Sequence, residues 1–318
     1  MKIKKSIRSL ISRLSPLSRR GTYSTGVNPW TIQPPLPLPT GFTRRKILNV
    51  LTSVSIDGSK KGELTGYATA DLERFLRTLD LVPTEAQRIL EIGANPYFNT
   101  LLLRRFRSQA SLTLTNYFNG EPSIQRQKIS FVGFDDRAEE FSADFHNLNI
   151  EQHRFPFADG CFDVVVFCEV LEHLTMDPMA ALSEISRTLS ENGVLVLTTP
   201  NAVRLENVIA LLEGRNLYDP YSAYGPYGRH NREYTRHELH QLLIHCGFTP
   251  EVSYTANVHG DIPASNVSQR SLDILLETPH REFDLGQYFF TRWRKVRPYN
   301  PRLPTWLYRS YPEDRMAM

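Results

Sequence analysis

From about residue 70 onward, apolar residues recur in two alternating rhythms. Residues 71–80 (DLERFLRTLD) repeat them at helical spacing, which predicts a helix opened by an acidic cap at Asp71. Residues 88–92 form a short apolar strand ending in Glu91-Ile92, followed by a helix at 97–106 and a second strand at 112–115. Two continuous apolar runs, 163–168 (DVVVFC) and 193–199 (GVLVLTT), have the character of strands buried on both faces. A helix at 179–189 separates them. A helix at 235–246, closed by Gly247, leads to a strand at 249–254, a helix at 268–276 and a strand at 287–292. Strands that alternate with helices predict parallel βαβ units. The expected fold class is therefore α/β: a doubly wound, mostly parallel, Rossmann-like sheet with an antiparallel last strand.

The rhythm is absent before residue 57, and so are acids. Ten cations and no anion precede Asp57, against totals of 37 Lys plus Arg and 34 Asp plus Glu. That leaves 27 cations and 34 anions, a net of about −7, for the rest of the chain. The body is thus no basic nucleic-acid binder, and nucleic acid is not an expected partner. Within the tail, Ile3, Ile7, Leu10, Ile11 and Leu14 follow helical spacing between cations, a pattern suited to peripheral contact with an anionic membrane. A solvated tail and a transit peptide are the alternatives. Residues 15–42 hold six prolines and read as a linker or extended arm. The division expected is a tail and linker over 1–56 and one domain over 57–318, with an aromatic-basic extension at its end. No apolar run reaches the roughly 18–20 residues of a membrane span. Three cysteines without C-x-x-C spacing fit a reducing compartment, so a cytoplasmic location is expected.

The first strand runs into Glu91-Ile92-Gly93-Ala94-Asn95-Pro96-Tyr97. An acid, a small-residue turn and a helix start make a ligand crevice at the carboxyl edge of a parallel sheet. Pro96 is expected at the start of the helix. Asn95 stands where dinucleotide oxidoreductases carry a second glycine, so a diphosphate loop is missing. Farther on come Glu151-Gln152-His153-Arg154-Phe155-Pro156-Phe157, then Phe162-Asp163-Val164, and then Gly193-Val194-Leu195-Val196-Leu197-Thr198-Thr199-Pro200. This ordered set resembles class I S-adenosylmethionine (SAM)-dependent methyltransferases over about residues 70–295. The resemblance implies SAM as cofactor, held by Glu91, Gly93, Ala94, Asn95, Asn116, Glu151, Gln152 and Cys168. Glu91 would meet the amino group, Gly93 would pass under the ligand, and Glu151 and Gln152 would meet the adenine. The family's acid at the end of the second strand is replaced by Asn116, which lacks a carboxylate's charged two-pronged grip on the ribose.

After the fourth strand the chain reads Cys168-Glu169-Val170-Leu171-Glu172-His173. If it turns helical there, Glu169, Glu172 and His173 share one face. With His230, these residues form a candidate site for Mg²⁺, Mn²⁺ or Zn²⁺. The E-x-x-E-H spacing with a distant His resembles metal-assisted O-methyltransferases, including those that act on RNA 2′-hydroxyls. Glu169, His173 and His230 are the candidate catalytic residues; His173 acting alone as a metal-free base and a purely structural cluster are the other readings. Residues 214–234 form a tyrosine-rich loop of the kind that binds ligands at a sheet edge. The reading is a SAM-dependent O-methyltransferase. Its acceptor is a hydroxyl of a small molecule or glycan, with a sugar in a glycan or lipid-linked saccharide preferred. An RNA 2′-O-methyltransferase and a non-catalytic adaptor are its rivals, and the oligomeric state is open.

Overall fold

The computed structural model describes residues 34–57, 59, 62–260 and 284–317. In chain order the elements are α1 (Arg44–Thr52), β1 (Ser55–Ile56), α2 (Glu63–Leu81), β2 (Arg88–Ile92), α3 (Phe98–Phe106), β3 (Ser111–Asn116), β4 (Ser123–Val132) and β5 (Ala138–Asn147). They continue with β6 (Phe162–Cys168), α4 (Pro178–Thr188), β7 (Leu189–Pro200), α5 (Leu205–Leu212), α6 (Arg236–His245), β8 (Phe248–Ala256) and β9 (Tyr288–Lys295). The expected tail helix over 1–14 and the helix at 268–276 lie outside the described residues.

Nine strands form one sheet in the order β1-β4-β5-β3-β2-β6-β7-β9-β8. Its centre is parallel: β2 pairs with β3 and β6, β3 with β5, and β6 with β7. Both margins are antiparallel, through the β4–β5 hairpin on one side and β9 between β7 and β8 on the other. The last strand is antiparallel as expected. The β4–β5 hairpin carries no strand signal in the sequence, because its strands (SIQRQKISFV and AEEFSADFHN) are mostly polar and lack the β-branched runs that mark a buried strand.

Two apolar layers sandwich the centre. Val164, Val166 and Val196 pack with α2 and α3, whereas Val165, Phe167 and Leu197 pack with α4 and α6. This two-sided burial is why the strands are uninterrupted apolar runs. Two boundaries differ from the sequence reading. Helix α2 begins at Glu63 behind Gly62, so Asp71 is no cap but a buried mid-helix residue ion-paired to Arg74 at 2.9 Å. Residues 44–56 belong to the body: Ile47, Val50 and Leu51 are buried and β1 pairs with β4. Among the described residues no helix is long and apolar enough to cross a membrane.

Candidate active site

The turn after β2 builds a two-lobed cleft at the carboxyl edge of the sheet. Gly93 adopts φ +73°, and a Cβ there would stand 2.8 Å from Val170 Cγ2. Only glycine lets the backbone pass so close. The amides of Gly93 and Ala94 donate to the Thr115 carbonyl at 2.9 and 3.1 Å, which ties the turn to β3. Tyr97, in the left-handed region, precedes the first helical residue Phe98, so Pro96 lies just outside α3 rather than at its start.

One lobe, about 70 Å³, is lined mainly by polar groups, among them Tyr67, Arg74, Glu91, Asn99, Cys168 and Glu169. The other, about 240 Å³ and more apolar, is lined by Ile92, Tyr117, Leu148, Ile150, His173 and Tyr227 among others. Gly93, Asn95 and Glu169 line both, so the lobes meet at the glycine turn. A polar pocket joined to an apolar one suits a ligand with a charged amino-acid end and an aromatic base. Buried Glu91 accepts the Thr100 hydroxyl at 2.5 Å, and burial pushes its carboxyl up to about 8 against that bond. Burial likewise pushes the Cys168 thiol up to about 12, so it contributes no thiolate.

Asn116 is buried at the end of β3 and lines the apolar lobe. Its amide oxygen accepts from the Asn95 amide at 2.7 Å, and its amide nitrogen donates to the Tyr97 hydroxyl at 3.1 Å. It therefore braces the glycine turn. Glu151 and Gln152, expected at the adenine, stand elsewhere. The Glu151 carboxylate accepts from the amides of Thr175, Met176 and Asp177 at 2.8–3.1 Å, while Gln152 is exposed. The nearby lining comes instead from Asn149 and Ile150, and Asn149 donates to the Tyr227 hydroxyl at 2.8 Å.

At the wall of the apolar lobe, where His173 lies, one potential ligand atom from each of Glu172, His173 and His230 lies within 4.8 Å of the others. Glu172 is fully buried; Oε2 accepts from Thr199 at 2.9 Å, while Oε1 has no partner and lies 3.8 Å from His173 Nε2. Nδ1 of His173 lies 3.0 Å from the Arg229 carbonyl, which accepts its proton and leaves Nε2 with the lone pair. Nδ1 of His230 lies 2.9 Å from Glu233 Oε1, and Glu233 is held in turn by Arg204. The two rings meet edge to face at 5.0 Å. Burial, aided by Glu169, pushes Glu172 up to about 8. Burial and His230 lower the His173 pKa; burial also opposes charge on His230, yet Glu233, Glu172 and Asp219 hold its pKa above the usual value.

Glu169 does not share this face. Its backbone is left-handed (φ +55°), and only Leu171–His173 form a short 3₁₀ turn. Its carboxylate turns instead to Arg74 at 2.9 Å and Thr198 at 2.8 Å. Tyr67 and Arg74 had no signal in the sequence reading, because they reach the cleft from α2, ahead of the glycine turn. The loop tyrosines divide: Tyr227 packs edge to face on Tyr117, while Tyr218, Tyr221 and Tyr224 are exposed. The closing aromatic-basic segment braces the body, through Tyr299 to the Met179 carbonyl and Tyr308 to Asp177.

A family model described as a methyltransferase domain matches residues 46–251. No protein of curated function matches. Among solved structures, a SAM-dependent methyltransferase from Archaeoglobus fulgidus is similar at 15% identity and TM-score 0.44, covering 72% of this chain and 94% of that one. One from Mesorhizobium loti is similar at 13% identity and TM-score 0.41, covering 68% and 95%. With most of its sheet and the whole glycine turn inside the matched residues, the chain belongs to this methyltransferase-domain family and is a SAM-dependent methyltransferase.

Proposed function

We propose that the chain transfers the SAM methyl group to a hydroxyl oxygen, with a divalent cation held by Glu172, His173 and His230, and that the acceptor is a sugar in a glycan or lipid-linked saccharide. The observation that carries the reading is Oε1 of Glu172: a buried carboxylate oxygen without a partner, facing an imidazole lone pair. Such an oxygen is costly unless a proton or a cation satisfies it. Both imidazoles give their Nδ1 protons to oxygen acceptors, the arrangement that frees Nε2 for a metal. Two nitrogens and a carboxylate suit Mn²⁺ or Zn²⁺ better than Mg²⁺.

In this reading Gly93 lies beneath the cofactor, and Glu91 meets its ammonium in ionised form. The apolar lobe takes the adenosine, with Tyr227 and Asn149 closing over it. A bound cation would lower the pKa of the acceptor hydroxyl and fix its position. SAM held there would supply an electrophilic methyl group to the acceptor oxygen, whose proton would pass to water. Tyr218, Tyr221 and Tyr224 offer exposed rings beside the site, suited to the apolar faces of sugars. The metal-free alternative uses His173 Nε2 as the base, favoured by the lowered pKa of that residue. RNA is disfavoured by the acidic body. A basic amphipathic segment over 1–14 would hold the enzyme peripherally at a cytoplasmic membrane surface. Sedimentation with anionic liposomes should fall on removal of residues 1–33, a cut that spares α1.

The test is incubation of the full chain with methyl-labelled SAM, Mn²⁺ and a panel of oligosaccharides. Label in alkali-stable methyl ethers, abolished by EDTA, is expected. Label found only on nitrogen or carbon acceptors would overturn the reading.

A further inference from the structure

Glu169 occupies an unusual place. Its side chain lines both lobes of the cofactor cleft, and it shares the wall of the apolar lobe with His173. It lies within electrostatic reach of His230 and Glu172, yet its carboxylate is turned away from them, onto Arg74. The left-handed backbone at this residue is a strained conformation for glutamate, the kind that marks switch positions.

Arg74 is the one cation among the described residues that line the polar lobe. Its side chain is only 5% exposed. One guanidinium nitrogen, Nη2, is fixed by Asp71 at 2.9 Å and the Tyr67 hydroxyl at 2.5 Å. Nη1 holds Glu169 at 2.9 Å, and Nε is buried with no partner at all. The guanidinium is thus anchored through Nη2, and Nη1 is the donor it gives to a carboxylate of the cleft. Asp71 does not line the lobe, so Glu169 is the carboxylate in the cleft that a ligand can displace from Arg74.

SAM brings a carboxylate as well as an ammonium to its amino-acid end. A buried carboxylate needs a cation, and among the described residues of this lobe Arg74 supplies it. We infer that the cofactor carboxylate takes the place of Glu169 on Arg74, and that the released Glu169 swings to the Glu172–His173–His230 cluster as a fourth ligand for the cation. Cofactor and metal then bind with positive coupling, each tightening the other by the same factor. The metal site is completed only when the methyl donor is in place. This inference rests on the metal reading above and adds the exchange at Arg74 to it.

The experiment is a calorimetric titration of the full chain with Mn²⁺, run without and with saturating S-adenosylhomocysteine, whose amino-acid end is that of SAM. Mn²⁺ should bind about tenfold tighter or more with the adenosyl ligand present, and the reciprocal titration should give the same factor. Glu169→Gln should bind S-adenosylhomocysteine at least as tightly as the wild type, because the competitor for Arg74 has lost its charge. Its Mn²⁺ affinity should no longer respond to the ligand. A residue that merely propped up the cleft would instead weaken both ligands on substitution. Equal Mn²⁺ affinities in the two wild-type titrations would overturn the coupling and leave the metal site standing. No Mn²⁺ binding in either would overturn the metal reading and this inference with it.

Discussion

Nε2 of His173 faces Oε1 of Glu172 across 3.8 Å, and that oxygen is buried without a hydrogen-bond partner. A proton or a divalent cation can satisfy the pair, and the two differ in what they predict for stability. Glu172 has its carboxyl raised from 4.5 to about 8 by burial. Without metal, its contribution is fully present below about pH 4.5 and is lost as pH rises toward 8. Glu172→Gln removes this loss and should raise ligand-free stability near pH 7.5 by about 1–3 kcal/mol. Mn²⁺ at 100 times its Kd should stabilise the wild type by about 2.7 kcal/mol and the variant hardly at all. Thermal unfolding of both proteins, with and without Mn²⁺, checks the two signs together.

Glu91 gives a prediction about protons. Its buried carboxyl is neutral at pH 7, with a pKa of about 8, but must be ionised to meet a ligand ammonium. Binding of S-adenosylhomocysteine at pH 7 should release about one proton, and affinity should rise nearly tenfold per pH unit between about 6 and 8 before levelling off. Calorimetry in buffers of different ionisation enthalpy counts the proton. Glu91→Gln should release none and show no such rise.

Gly93 allows no side chain. Gly93→Val places a branched side chain at φ +73° against Val170 Cγ2, already 2.8 Å from a bare Cβ. A stability loss of about 1–3 kcal/mol is expected from the strained backbone and contact. The cofactor affinity should fall by more than tenfold, read by the same calorimetry.

Tyr227 closes the apolar lobe through the bond that its hydroxyl accepts from Asn149 at 2.8 Å. Tyr227→Phe keeps the ring packed on Tyr117 and removes only that bond, worth about 1 kcal/mol. Affinity for S-adenosylhomocysteine should drop about fivefold with little change in unfolding temperature.

The parts of the molecule legible in the sequence are those where one physical demand dominates. The middles of β6 (Val164–Phe167) and β7 (Val194–Leu197) are buried on both faces, so these runs are wholly apolar and plain to see, whereas β7 begins earlier, at Leu189, through the polar stretch Ser190-Glu191-Asn192. The glycine turn announces itself because backbone conformation and close approach leave no other residue. The β4–β5 hairpin escapes notice because its exposed face carries Arg126, Lys128 and Asp144, which hide the alternation of Phe141, Ala143 and Phe145. The spacing of Glu169, Glu172 and His173 suggested one helical face. The left-handed turn at Glu169 breaks it, and that turn is stabilised by Arg74, a partner 95 residues earlier that no local pattern reveals. Asn116 looked like a weakened ribose ligand, whereas its amide uses both donor and acceptor to brace the turn, a role a carboxylate lacks the donor to fill. His230 is reached through the resemblance alone: it does join Glu172 and His173, but nothing in its spacing from His173 states that the rings lie 5.0 Å apart.

The most direct measurement is electron spin-echo envelope modulation of Mn²⁺ bound to the full chain. Nitrogen modulation from imidazole is expected, diminished in His173→Ala and again in His230→Ala. Manganese surrounded by water and carboxylate alone, with spectra unchanged in either variant, would contradict the assignment of Glu172, His173 and His230 as a cation site.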